Sequence, residues 1–299
     1  MLDVRPEIAQ ALASGLPVVA LESTLISHGL PVPVNLETAR QSQAAIRSAG
    51  ATPATIAVLC GRPTIGISDD ELASLAAAKD VVKASRRDLG VAAAKRSTAS
   101  TTVAATIFLA HRAGIRFVAT GGIGGVHRGA DATNDVSADL IELSRTPVVV
   151  VCAGAKVILD LSKTLEFLDS LGVPVIGYGT ADFPAFFVRS LGHPLSARVD
   201  TVEEAAALLA AHWELGGAGV VLAQPIDEGI AIAAQEIEPI LAEGTSEAAA
   251  KHIRGPELTP FLLSYIGRVT SGRSVAANRA LIVANAQLAA RMACATTRS

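Results

Sequence analysis

Two charged residues stand where a buried chain should carry none. Glu22 directly follows the apolar run PVVAL at residues 17–21, and Lys156 follows VVVVCAGA at residues 148–155. Runs rich in β-branched residues are buried-strand signatures, because such side chains suit a pleated surface. A carboxylate at the end of such a strand, facing a cleft, takes a raised pKa and can act as a general acid or base; it can equally cap neighbouring amides. Lys156 stands where Ala153-Gly154-Ala155 breaks the strand and a helical apolar pattern begins with Val157, Leu159, Leu161, Leu165 and Leu168. Open α/β sheets put their ligand chemistry at such junctions. A helix N-terminus and apolar walls disfavour an ammonium there and favour a nucleophilic amine. A solvated lysine in a first helical turn is the plainer alternative.

Other groups can hold an anion or a metal. Lys83, Arg86 and Arg87 cluster in KASRRDL, either to bind an anionic substrate group or to pair with surface acids. STASTT at residues 97–102 opens a helix whose hydroxyls and free amides form a second possible anion site. The run GGIGGVHRG at residues 121–129 lets backbone amides converge on a phosphate or sugar, or else makes a tight crossover. It is no Walker loop, since no Gly-Lys-Ser/Thr follows, and His127 stands where a dinucleotide fingerprint needs its third glycine. Asp131, Asp135 and Asp139 lie within nine residues, too sparse for an EF-hand but enough to hold one hard divalent ion through a single carboxylate and waters. His28 lies in a loop after Glu22, and Asn278 and Asn285 interrupt an otherwise apolar helix, where a buried amide must find partners.

The elements that must position these groups alternate between strand and helix. Strands are predicted at residues 17–21, 55–59, 64–67, 81–85, 115–120, 148–152, 173–176 and 218–223, with short edges at 184–188 and 197–199. Helices are predicted between them: one capped by Asn35, one opened by the Ser68/Glu71 capping box, one following Lys156 at once, and one capped by Thr201. From residue 230 the pattern is helical, over 230–241, 258–269 and 274–292. This order predicts an α/β fold of three α/β/α layers, with a central, largely parallel mixed sheet and the C-terminal helices packed on it, as one domain over residues 1–299.

Composition narrows the function. Half of the residues are hydrophobic, and the surplus of Ala, Val and Leu suits a sheet buried on both faces. A net charge of −3 and 3% aromatics supply neither the basic surface nor the stacking platforms of a nucleic-acid binder. Mean hydropathy is +0.43, yet the charge-free stretches are too short to span a bilayer. Asp3, Arg5 and Glu7 interrupt any signal-peptide core. Three cysteines without metal spacing fit a reduced cytoplasmic protein.

Taken together, ALEST…SHGLP, KASRRDL, ATGGIGGVHRGA, SADL, VVCAGAKVILD, GVPVIGY…FPAFFVRS and TPFLL with the following Asn278 closely resemble the pseudouridine-5′-phosphate glycosidases, a family of indigoidine synthase A-like proteins. The resemblance runs from about residue 17 to residue 289. It implies cleavage of the carbon–carbon bond of pseudouridine 5′-phosphate to uracil and ribose 5-phosphate, with one Mn²⁺ per subunit for which Mg²⁺ can substitute, in a homotrimer. Carried over by motif, it makes Lys156 the nucleophile, Glu22 the proton donor and Asp135 the metal ligand. Substrate contacts fall on Lys83, Val103, Ser137, Ala138 and Asp139, with Asn278 meeting the base. Against this stand two readings from other classes, a sugar or nucleoside kinase-like phosphoryl-transfer enzyme suggested by the glycine loop, and a non-catalytic nucleotide-binding module.

Overall fold

The strands bury both faces, and their side chains divide accordingly. The computed structural model describes residues 2–253 and 255–297. In chain order its strands are β1 (Asp3–Val4), β2 (Val18–Leu21), β3 (Thr52–Leu59), β4 (Arg62–Ile65), β5 (Val82–Ala84), β6 (Ala99–Thr101), β7 (Phe117–Ala119), β8 (Val126–His127), β9 (Val149–Cys152), β10 (Leu159–Asp160), β11 (Val175–Tyr178), β12 (Ala197–Val199) and β13 (Val220–Ala223). One sheet runs β1-β4-β3-β2-β7-β9-β13-β11-β12, with β6 and β5 branching from β3. From β3 to β12 every pairing along this path is parallel. The strands β4 and β6 meet β3 antiparallel.

Val18, Ala20, Val118, Val150 and Cys152 enter one apolar cluster, and Val19, Leu21, Phe117, Ala119, Val149 and Val151 enter another. This period of two, apolar on both sides, is what a parallel sheet covered on both faces requires. Ile8, Ile107 and Leu168 cover the first face from the helices Pro6–Ala13, Val103–Arg112 and Leu161–Ser170. Ile46, Leu209 and Met292 cover the second from Val34–Ser48, Val202–Glu214 and Arg273–Thr296. The three-layer fold and the packing of the C-terminal helix on the sheet are as the sequence predicts.

Several local expectations are corrected. The helix expected directly after Lys156 starts only at Leu161; the chain first forms β10, which pairs antiparallel with β8. Lys156 is therefore on a loop, not in a first helical turn. Asn35 lies inside its helix rather than capping it, and its amide donates to the Ile26 and Ala76 carbonyls across the loop. Residues 184–188 form isolated bridges instead of a strand. The helix expected from 230 begins at Ala234, after a single 3₁₀ turn at Glu228–Ile230.

The sheet order reverses between β2 and β7: β3 follows β2 on one side, whereas β7 and β9 lie on the other. In open α/β sheets the crevice at the strand carboxyl ends beside such a reversal is the natural ligand site.

Candidate active site

Leu21, Ala119 and Val151 lie side by side in register on β2, β7 and β9. All three face the second apolar cluster, so the next residues along, Glu22, Thr120 and Cys152, turn to the opposite face at the carboxyl ends. Glu22 is only 7% exposed. The Thr120 hydroxyl donates to its carboxylate. Burial raises the Glu22 pKa, with Lys156, the Thr120 bond and Lys83 pulling it back and Asp139 adding to the rise. A carboxyl whose pKa is raised holds its proton to higher pH, as a general acid must. Cys152, the neighbouring thiol, is pushed up to about 12 by burial and is no nucleophile.

Lys156 is half-buried, and its loop is fixed against Ile123. Its amide donates to the Ile123 carbonyl at 3.2 Å, and Ala155 bridges Ile123. The turn into it uses Gly154 at φ +70°, where a Cβ would run into the Pro184 carbonyl. Lys83 reaches the same cleft from β5. Burial, then the charge of Lys156, lower its pKa, while Glu22 and Asp139 oppose the change. The two lysines, Glu22 and Asp139 thus share one electrostatic field.

These groups line a cleft of about 690 Å³ together with Val103, Asp135, Ser137, Ala138 and His127. An inner lobe continues it past Glu22, Lys83 and Lys156 to His28, Phe186 and Asn278. All nine residues expected from the sequence to serve the site border this continuous space.

Asp139 holds the walls together. One of its oxygens accepts from the Gly124 amide and the other from the Ala104 amide, both at 2.8 Å. A Cβ at Gly124 would collide with the Ser137 side chain. Ser137 itself caps the short Ala138–Leu143 helix. At the start of the Val103–Arg112 helix, Asp139 takes the Ala104 amide and Thr102 the Ala105 amide; the Val103 amide has no partner among the described residues. That orphan donor at a helix N-terminus can meet a substrate anion.

The two expected anion sites are largely employed within the fold, apart from the free Val103 amide at the second. In the glycine run, the amides of Ile123, Gly124, Val126 and His127 go to Gly154, Asp139, Thr164 and Asp135. These four amides are spent within the fold, and the close approach of Phe186, Ser137 and Thr164 explains Gly122, Gly124 and Gly125, while Gly121 and Gly122 line the inner lobe. In STASTT, the Thr101 hydroxyl donates to the Ile56 carbonyl and accepts from Thr106, while Ser23 and Thr24 of the EST motif bond to the same segment. Arg86 pairs with Glu142 at 2.6 Å and lies over the Phe108 ring, and Arg87 is exposed beside Asp88; both border the outer cleft, and Lys83 is the member of the cluster that also borders the inner lobe.

The three aspartates also separate by role. Asp131 pairs with Lys163 at the surface and Asp139 is committed to amides, so neither is available as a ligand. The Asp135 carboxylate has no hydrogen bond or ion pair among the described residues and lines the cleft, where its charge acts on His127. Burial lowers the His127 pKa against that charge. No group of three or more His, Cys, Asp or Glu is arranged for a metal among the described residues. The donor set therefore fits a hard divalent ion that keeps most of its waters, as Mn²⁺ and Mg²⁺ do, and not an all-protein cage.

Asn285 and Asn278 differ similarly. Asn285 donates to the Thr120 and Gly121 carbonyls and braces the end of β7. Asn278 is buried in the wall of the inner lobe, and its Oδ1 has no partner among the described residues. Sequence reasoning missed Thr120 and Phe186; only Thr120 carried a signal, a hydroxyl at a strand end immediately before the glycine run.

The family model of the indigoidine synthase A like proteins matches residues 7–295. The pseudouridine-5′-phosphate glycosidase of Methylobacterium nodulans is 53% identical over 296 residues, covering 99% of this chain and 88% of that one. That of Herpetosiphon aurantiacus is 52% identical over 299 residues, covering 100% and 99%. Among solved structures, a prealnumycin C-glycosynthase in complex with ribulose 5-phosphate superimposes with a TM-score of 0.92 at 40% identity, covering 100% of this chain and 97% of that one. An indigoidine synthase A-like protein from Thermotoga maritima gives 0.91 at 36% identity, with the same coverages. With its whole length matched at this identity and its fold shared, the chain belongs to the indigoidine synthase A-like family, the family of the pseudouridine-5′-phosphate glycosidases.

Proposed function

We propose that this protein cleaves, reversibly, the carbon–carbon glycosidic bond of pseudouridine 5′-phosphate to uracil and ribose 5-phosphate. The observation that carries the reading is the meeting of one buried carboxyl, Glu22, with two lysines, Lys156 and Lys83, at the topological reversal of the sheet, in a chain 53% identical to a named glycosidase of this substrate. Ordinary glycosidases use two carboxylates around an oxygen leaving group. A carbon leaving group is poor; a lysine nitrogen on C1′ supplies the electron pair that expels it, and a general acid protonates the carbon as it leaves.

In this mechanism the Lys156 amine attacks C1′ of the ribose, the C1′–O4′ bond breaks, and O4′ takes up a proton. The nitrogen lone pair then forms the C=N bond as the bond from C1′ to uracil C5 breaks. Glu22 delivers its proton to C5 as that bond breaks, because the pair released there lies in the ring plane and is not delocalised into the C4 carbonyl. Water hydrolyses the imine and frees ribose 5-phosphate and Lys156. Lys83 and the Val103 amide hold the phosphate end, and Ser137, Ala138 and Asp139 form the wall against the sugar. Asp135 holds the divalent ion, with Mn²⁺ the expected metal. When bound, the ion offsets phosphate charge and orders waters.

The same reading makes the protein a cytoplasmic homotrimer, which light scattering of the purified protein tests. No helix among the described residues is long and apolar enough to cross a membrane. The reaction itself is tested by incubating the protein with pseudouridine 5′-phosphate and Mn²⁺ and following uracil. Uracil release that disappears in Lys156→Ala supports it; ATP-dependent phosphorylation, or binding without turnover, contradicts it.

A further inference from the structure

The inner lobe contains a second unpartnered polar atom. His28 lies on the π-helical turn Leu25–Gly29, and its Nε2 is buried without a hydrogen-bond partner among the described residues. Buried polar atoms in native proteins are almost always satisfied, so an orphan in a ligand cavity points to a ligand. The lobe places it with the equally unpartnered Oδ1 of Asn278, between apolar walls that include Leu25, Phe186, Leu263 and Ile282. Apolar walls with a few convergent polar groups are the surroundings of a bound heterocycle.

The state of the ring decides what Nε2 can do. Burial, then the Lys83 charge, lower the His28 pKa, and a bond to the Val81 carbonyl opposes this. The ring is therefore neutral, with one N–H and one lone pair. The Val81 carbonyl can only accept, so it takes the N–H. The unpartnered Nε2 is left as the lone pair, an acceptor like Asn278 Oδ1.

Two acceptors match two donors. Uracil joined to ribose through C5 keeps both ring N–H groups. Uracil joined through N1 has lost one. We propose that His28 Nε2 accepts a hydrogen bond from one uracil N–H while Asn278 Oδ1 accepts from the other, so that His28 is a specificity-determining residue that, paired with Asn278, selects carbon-linked uracil with two donors over nitrogen-linked uracil with one. The inference rests on the reaction proposed above.

The test measures kcat and KM of the wild type, His28→Ala and His28→Gln on pseudouridine 5′-phosphate and on its N1-methyl and N3-methyl derivatives. On the parent substrate His28→Ala should lose about 10- to 100-fold in kcat/KM, mainly through KM, the size of one lost hydrogen bond to a buried group. On one of the two methyl derivatives the same substitution should cost nothing further, because the donor is already gone. His28→Gln, whose side-chain carbonyl can accept, should recover part of the loss on the parent. Equal losses on all three substrates, or no loss on the parent, overturn the role of His28. Absence of uracil release by the wild type overturns the reaction instead.

Discussion

Thr120 donates its hydroxyl to the buried carboxylate of Glu22, across adjacent ends of β7 and β2. This bond lowers the Glu22 pKa, while burial raises it by more. Thr120→Val removes the donor and keeps the shape. The carboxyl should then hold its proton to higher pH, and the alkaline limb of the kcat/KM profile should move upward. An unchanged limb would mean that Glu22 is not the group titrating there.

Glu22 also links activity to stability. Its folded-state pKa lies above the ordinary carboxylate value, so the native state binds this proton more tightly than the unfolded chain. The resulting stabilisation is complete below the unfolded pKa and is lost as pH rises through the folded one. Glu22→Gln cannot ionise. Its Tm relative to wild type should therefore be higher at about pH 8 than at about pH 5. Its kcat should fall by roughly 10²- to 10⁴-fold with KM little changed, as for loss of a general acid. A raised KM with kcat unchanged would place Glu22 in substrate recognition instead.

Lys83 should behave differently. It holds the phosphate in ground and transition states alike, so Lys83→Ala should chiefly raise KM. The variant should also discriminate less between pseudouridine 5′-phosphate and unphosphorylated pseudouridine. Full retention of the phosphate preference would shift that contact to the Val103 amide.

Asp135 should carry the metal. Asp135→Ala should weaken Mn²⁺ binding, read by electron paramagnetic resonance without substrate, and lower activity with it. Thermal stability should be preserved, because the side chain makes no hydrogen bond or ion pair among the described residues. Chelation of the wild type should reproduce the activity loss, and Mn²⁺ should restore it. Normal Mn²⁺ affinity in the variant would contradict the assignment.

The fold was legible because its signals are repetitive: β-branched runs, a period of two, and helices between them. Glu22 and Lys156 stood out because a charge ending an apolar strand is rare enough to ask for a reason. Their surroundings were not legible, since they depend on register between strands far apart in sequence. Thr120 meets Glu22 only because β7 lies beside β2 with Ala119 opposite Leu21. The glycine run has the composition of an anion cradle, but four of its amides are claimed by Gly154, Asp139, Thr164 and Asp135, which no local pattern reveals. Asp131, Asp135 and Asp139 read alike in sequence, and only their side-chain partners among the described residues, a lysine, none and two amides, tell them apart. The helix after Lys156 was placed too early because Val157, Leu159 and Leu161 satisfy both a helical stripe and the short β10 ribbon.

The central claim is a covalent bond between Lys156 and the sugar. Borohydride reduction of the protein incubated with ribose 5-phosphate, followed by peptide mass spectrometry, reads it directly. The expected result is a reduced ribose 5-phosphate adduct on Lys156, absent without borohydride and absent in Lys156→Ala. An adduct on Lys83 instead, or full uracil release by Lys156→Ala, would contradict it.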